Sequence, residues 1–160
     1  VSATPITPSD KYYRMGVSKA IWVPILAAYQ SPTRAEINAG TDLSDEVSAA
    51  SGWEVTGNTE DAPALGSAFI SKVSSTTTAG DSSLTFYADS TSVDVRTLLS
   101  RGTAGYVIWM WEGDVVGHLA DVFPVKVTSA PKQSDISSVA QIMVNFAVTR
   151  EPAEDVAIPA

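Results

Sequence analysis

The chain has no cysteine and only one histidine, His118. Without thiols, disulfide bracing, thiol nucleophiles and cysteine-ligated zinc or iron are excluded, which fits a reducing compartment. Any mechanism that needs an imidazole must run through His118. Basic residues are scarce too: 10 Lys and Arg stand against 18 Asp and Glu, for a formal net charge of −8. Gripping a phosphate backbone takes clustered cations that displace counterions, and these ten are scattered. Long apolar runs are missing as well. None approaches the roughly 20 residues that cross a bilayer, and residues 1–9 lack the basic and apolar regions of a secretory signal. The expectation is a chain that neither inserts into a membrane nor binds nucleic acid specifically.

What is present suffices for one core. Of 160 residues, 44% are apolar, enough to fold without a metal or disulfide. A single domain over 1–160 is expected, made of an N-terminal arm at 1–16, a β-rich body at 17–149 and a C-terminal arm at 150–160. Pro5 and Pro8 sit among Ser and Thr, while Pro152 and Pro159 flank acidic residues. Both ends have little to bury, so each is expected to be extended and to order only against another surface.

Between the arms the dominant hydrophobic period is two, in short runs rich in Val, Ile, Thr and aromatics separated by Gly, Pro, Asp and Ser. Strands are predicted at 19–26, 47–57, 67–75, 82–88, 105–112, 119–129 and 138–149. The last has the clearest alternation: Ala140, Ile142, Val144, Phe146 and Val148 on one side, Gln141, Asn145 and Thr149 with Met143 and Ala147 on the other. The Ser/Thr-rich stretch 74–83 reads as a polar connection between strands. Two short helices interrupt the pattern. In 31–40, Ser31 is placed to cap, Pro32 suits the first helical position and Gly40 the left-handed stop. In 92–102, Ser92 is a capping residue, Asp94 suits the positive end, Val95, Leu98 and Leu99 form the apolar stripe, and Gly102 ends it. The predicted class is mainly β (α+β): a β-sandwich or barrel with one flanking α-helix and a second short helix.

Catalytic chemistry finds little support. Asp114 and Asp121 lie near His118, yet a hairpin turn at Gly113-Asp114 accounts for them. The carboxylate pairs Asp45-Glu46, Glu60-Asp61 and Glu154-Asp155 are adjacent in sequence, and adjacent strand residues point to opposite faces, so none makes the pair across a cleft that a glycosidase needs. No phosphate-cradling glycine loop, nucleotide fingerprint or histidine cluster occurs. No catalytic, cofactor-binding or metal-binding residue is therefore assigned, and no cofactor is expected. Trp109 and Trp111 share a face at a spacing of two, the geometry of a sugar-stacking platform. Their run, Tyr106 to Trp111, is apolar on both faces, which favours a central strand covered on both sides or a subunit contact. Trp22 and Trp53 read as core.

The segment Lys11-Tyr12-Tyr13-Arg14-Met15-Gly16-Val17-Ser18-Lys19-Ala20-Ile21-Trp22-Val23-Pro24, followed by Ser31-Pro32-Thr33-Arg34-Ala35-Glu36-Ile37-Asn38-Ala39-Gly40-Thr41-Asp42-Leu43, resembles the N-terminal half of major tail (tail tube) proteins from long-tailed phages of actinobacteria. Gly52-Trp53-Glu54-Val55, Glu60-Asp61-Ala62-Pro63, Ser83-Leu84-Thr85-Phe86-Tyr87 and Val122-Phe123-Pro124-Val125 look like that family's later landmarks, in order. The resemblance implies a structural virion protein and not an enzyme. It implies six-fold rings stacked into a tube for DNA delivery, with strands of all subunits closing one barrel around the lumen. Its implied partners are other copies of itself, a tape measure protein, the tail tip or baseplate and a tail terminator, with DNA only in transit. Its implied location is the virion tail, after assembly in the host bacterial cytoplasm. The arms and residues 58–66 would bridge subunits and rings. Passing DNA calls for an acidic or neutral-polar lumen, for which Glu54, Thr56, Gln141 and Asn145 are the expected residues; Arg34 and Arg101 are the expected subunit-contact cations. Tubes of contractile tails, tailocins and gene transfer agents share this resemblance, and a carbohydrate-binding β-sandwich is the alternative from another class.

Overall fold

The computed structural model describes residues 2–92 and 95–160. Ten strands are present among them: β1 (Lys19–Val23), β2 (Thr41–Asp42), β3 (Val47–Ser51), β4 (Val55–Ala62), β5 (Ser71–Ala79), β6 (Ser82–Tyr87), β7 (Ala104–Met110), β8 (Leu119–Ser129), β9 (Gln141–Val148) and β10 (Ala153–Ala157). One helix, α1 (Arg34–Asn38), accompanies them. Eight strands form one antiparallel sheet in the order β2-β1-β7-β8-β9-β6-β3, with β10 pairing along the first half of β8. Among the described residues β4 and β5 pair only with each other.

The large sheet is curled. β1 and β9 are three strands apart, about 14 Å in a flat sheet, yet the rings of Trp22 and Phe146 sit with centroids 6.4 Å apart. Inside the curl lies the main core, built from alternate residues: Trp22 from β1, Leu84 and Phe86 from β6, Val107 and Trp109 from β7, Phe123, Val125 and Val127 from β8, and Ile142, Val144 and Phe146 from β9. A second, smaller core lies on the other face. Ile21 and Val23, Ile108 and Met110, and Ala120 and Val122 supply its sheet side, and Leu26, Ile37 and Ile158 cover it. The period-two pattern thus reports the fold correctly, and β7 and the start of β8 are apolar on both sides because both sides are covered.

Several boundaries differ from the sequence reading. The single strand expected at 47–57 is two strands, broken where Gly52 and Trp53 both take positive φ (82° and 62°). Trp53 is therefore not a strand residue. It turns inward, 5.3 Å from Phe123 and 5.4 Å from Phe146 between ring centroids, and its Nε1 donates to the Ser83 carbonyl at 3.1 Å. The polar stretch 74–83 is not a connection: residues up to Ala79 belong to β5, and the turn is confined to Gly80-Asp81. Cross-strand Thr and Ser pairs satisfy that ribbon well enough to override the loop-like composition.

The helix at 31–40 shrinks to five residues capped by Thr33, not Ser31. Thr33 Oγ1 accepts from the Glu36 amide, and the Glu36 carboxylate accepts from the Thr33 amide at 2.8 Å; this reciprocal box satisfies two otherwise orphaned donors. Gly40 is no left-handed stop. It is a close-approach residue, since a Cβ there would fall 2.8 Å from the Trp22 carbonyl oxygen. The helix expected at 92–102 is a single 3-10 turn, Val95–Thr97, though Leu99 is buried and Val95 and Leu98 pack on the core as their spacing predicted. Gly102 does take φ 89°; Asp94 lies outside the described residues.

Residues 2–17 carry exposed side chains, and Arg14 lies over the Trp111 ring. The C-terminal segment behaves differently. It is extended, but the surface that orders it is its own chain: β10 pairs with β8, and Ile158 is only 3% exposed.

Candidate assembly interface

The second core covers only half of the sheet's outer face. The other half, across β3, β6, β9 and the end of β8, is left open. Register identifies its residues, because directly paired residues share a face. Ser83 pairs with Asn145, Thr85 with Met143, Tyr87 with Gln141, and Lys126 with Ala147. Side chains brace one another across this face: Asn145 Nδ2 donates to Ser129 Oγ at 2.9 Å, and Gln141 Nε2 donates to Ser48 Oγ at 3.0 Å. These positions are mostly half-buried. Among the described residues the face carries no carboxylate, and Lys126 is its one charge.

At one side this face ends in an open edge. Among the described residues β3 pairs with β6 and with no other strand, and its five residues, Val-Ser-Ala-Ala-Ser, contain no proline or charge. Edge strands that stay solvent-exposed are normally protected by such residues. An unprotected edge is a template for another strand.

The β4–β5 ribbon is the third exposed element. Its strands are eight and nine residues long, and between their ends both faces are in solvent. Thr56 Oγ1 donates to the Thr78 carbonyl at 3.3 Å, Asn58 Nδ2 to Thr76 Oγ1 at 3.1 Å, and Lys72 pairs with Asp61 at 2.5 Å. The connecting tip exposes Leu65, Phe69 and Ile70. Two-stranded ribbons are marginal alone in water, which makes exposed apolar side chains at the end of one a candidate contact surface.

Of the four residues expected to share a lumen, the structure brings together only Gln141 and Asn145. Glu54 sits at the root of the ribbon and Thr56 within it, because the break at Gly52-Trp53 removes them from the sheet. Residues 58–62 of the expected bridging loop are strand, and only 63–70 connect. Ser83, Tyr87 and Lys126 share the face with Gln141 and Asn145, and the alternation Ser83-Leu84-Thr85-Phe86-Tyr87 already carried that signal. Arg34 is matched inside the chain: its Nη1 lies 2.8 Å from Asp114 Oδ1 and 3.0 Å from Oδ2, tying α1 to the β7–β8 loop. Arg101 forms no ion pair among the described residues.

The residues weighed for chemistry also have structural partners. His118 Nδ1 is 3.1 Å from Glu112, and Asp121 accepts from Trp111 Nε1 at 2.6 Å and from the Asp155 amide at 3.0 Å. Trp109 and Trp111 stack with centroids 4.6 Å apart and planes 6° from parallel, and Arg14 covers the Trp111 ring at 4.4 Å. With Trp109 and Arg14 both packed on it, Trp111 offers no free platform for a sugar ring. Among the described residues no His, Asp and Glu cluster has metal-binding geometry, and no helix is long and apolar enough to cross a membrane.

The sequence matches the family model described as phage tail tube protein over residues 4–160. The chain belongs to the phage tail tube protein family. It is thus a bacteriophage tail structural protein, and the virion tail is where such a protein resides. Among solved structures, a chain of the anti-feeding prophage baseplate, solved with 6-fold symmetry, is similar at 11% identity and TM-score 0.53, covering 92% of this chain and 95% of that one. That likeness is one of fold. The SPP1 Dit (gp 19.1) protein, described as a hub adsorption apparatus in phages infecting Gram-positive bacteria, is similar at 15% identity and TM-score 0.44; 84% of this chain matches 50% of that one. No curated protein sequence matches the chain.

Proposed function

We propose that copies of this tail tube family chain form six-membered rings that stack into the tail tube of a long-tailed phage, a conduit for DNA. The open, carboxylate-free half-face of the sheet lines the channel, and the unprotected β3 edge joins it to the sheet of the next copy. The single observation that carries this reading is that half-face, uncovered, neutral-polar and bordered by a strand with a free edge. Gln141 and Asn145 are lumen residues in this arrangement, joined by Ser83 and Lys126; Glu54 and Thr56 belong to ribbon contacts. The ribbon tip and residues 2–16 reach neighbouring copies, and Arg101 serves as a contact cation. The role is structural and not enzymatic, with assembly in the host cytoplasm, an actinobacterium by resemblance, alongside a tape measure protein, tail tip and terminator.

Electron microscopy of the concentrated, purified protein tests this. Rings or filaments with a central channel are the expected result, and replacing Ala49 with proline on the free edge of β3 should suppress them while the monomer stays folded. A protein that remains monomeric at every concentration, and after mixing with tail tips, would overturn the reading. A sheath gene beside this one would place the tube in a contractile machine.

A further inference from the structure

Resting on that assembly reading, we propose that one contact between neighbouring copies joins two grooves of opposite charge that share the stretch 95–101 in their walls, the basic groove of one copy receiving the acidic rim of the next. The basic groove, about 610 Å³, is lined by Arg96, Arg101 and Lys132. Three of the ten cations of an acidic chain thus gather in one depression. Arg96 has an interaction within the chain, so the contact is built on Arg101 and Lys132, which form no ion pair among the described residues.

The second groove, about 350 Å³, meets the same segment through Val95 and Leu98 and carries Asp42, Glu46 and Asp89 on its rim. Lys19 matches Asp42 at 3.2 Å. Glu46 forms no ion pair among the described residues, and Asp45 precedes it on an exposed 3-10 turn, Ser44–Glu46. Both grooves are therefore incomplete, with complementary deficits.

Copies carrying a formal charge of −8 repel at long range, and cations of one copy meeting acids of another offset that repulsion. Different surfaces on the two sides make the contact heterologous, the type that closes rings or propagates along an axis. A second copy is the occupant because it is the partner guaranteed to carry the matching groove.

Two charge reversals test the contact. One variant carries Arg101→Glu with Lys132→Glu; the other carries Asp45→Lys with Glu46→Lys. At low salt each alone should self-associate roughly tenfold more weakly than the unmodified protein, since each now meets like charge. Mixed in equal amounts the two should assemble again as alternating copies, because each acidified groove then faces a basic one. Sedimentation and negative-stain microscopy read the result, and circular dichroism confirms that each monomer is folded. If reversal unfolds a variant, Arg101→Gln with Lys132→Gln replaces it, with weaker self-association than the unmodified protein at low salt as the readout. Variants that assemble like the unmodified protein, or folded variants that fail to rescue one another, overturn this contact alone. An unmodified protein that never assembles overturns the assembly reading and the contact with it.

Discussion

The curled sheet and the β4–β5 ribbon draw on similar β-forming residues, yet they are held together differently. In β6, β7, β8 and β9 every second residue enters the core, and Leu84, Phe86, Val107, Val122, Ile142 and Val144 are fully buried. In the ribbon only the terminal residues Val55, Ala62 and Ala79 are even half-buried. Apolar burial stabilises the sheet. Cross-strand hydrogen bonds and Thr–Thr pairs shape the ribbon at far smaller gain. The contrast separates two properties that sequence composition mixes: the sheet carries stability, and the ribbon carries exposed surface, which the proposed assembly assigns to other copies. Substitutions in the two regions should therefore change different observables.

The largest effect is expected from Phe146→Ala. This side chain is 1% exposed and touches Trp22 and Trp53, so truncation should cost about 3–5 kcal/mol through lost burial and the cavity left behind. Thermal or urea unfolding measures it. Replacing Leu65 and Phe69 at the ribbon tip with Ser should leave the melting temperature within about 2 °C, in line with the small effect of exposed substitutions, and should reduce assembly. A tip variant that unfolds the monomer would break the division of labour.

The termini extend the comparison. Removing residues 153–160 strips β10 from β8 and takes Ile158 out of the smaller core. A loss of about 2–3 kcal/mol is expected from that side chain and the ladder hydrogen bonds. Removing residues 2–10 deletes only exposed side chains, so the circular dichroism spectrum and stability should hold while assembly weakens. Equal destabilisation by the two deletions would show that the N-terminal segment is packed after all.

Much of this was legible in the sequence because burial imposes a period. β8 falls at 119–129 as expected, and Leu99 takes its core place although its helix is only one turn. The uncovered face follows from the same alternation through Gln141 and Asn145. What escaped were features set by a partner distant in sequence. Nothing local says that Trp53 leaves its strand to reach Phe123 and Phe146, although Ser51-Gly52 is a turn signal. Nothing in Pro152 and Pro159 reveals that the residues between them pair with β8. The Ser and Thr of 74–79 look like a loop until β4 is placed beside them.

The junction between the two regions is a sharper target. Gly52 has φ 82°, and a Cβ there would sit 2.6 Å from the Asp81 carbonyl oxygen. Gly52→Ala should cost about 2 kcal/mol, combining the left-handed conformation with the clash against backbone. The next residue, Trp53, already holds φ 62°, a conformation that persists because its ring is locked in the core. Changed tryptophan fluorescence together with a lower melting temperature is the expected signature. An unchanged emission spectrum would mean that the junction relaxes without moving Trp53.

The smallest expected effect concerns acid and lies outside both regions, in α1. Hydrogen bonds from the backbone of Thr33, then from the backbone of Ala27 and the Thr33 hydroxyl, hold the Glu36 carboxyl below its ordinary value of 4.5. A lowered value in the folded state means that Glu36 binds its proton more readily when unfolded. Its stabilisation is therefore fully present above about pH 4.5 and is lost as pH falls through the lowered folded value. Glu36→Gln should melt slightly below the unmodified protein at pH 7, and the gap should narrow as pH falls below about 4.5 and the native carboxyl protonates. Asp42 and Asp135 are also held low and lose stabilisation in the same direction, but they are common to both proteins and cancel in the difference. A gap that stays unchanged as the native carboxyl protonates would mean that the box at Thr33 depends on shape and not on the charge of Glu36.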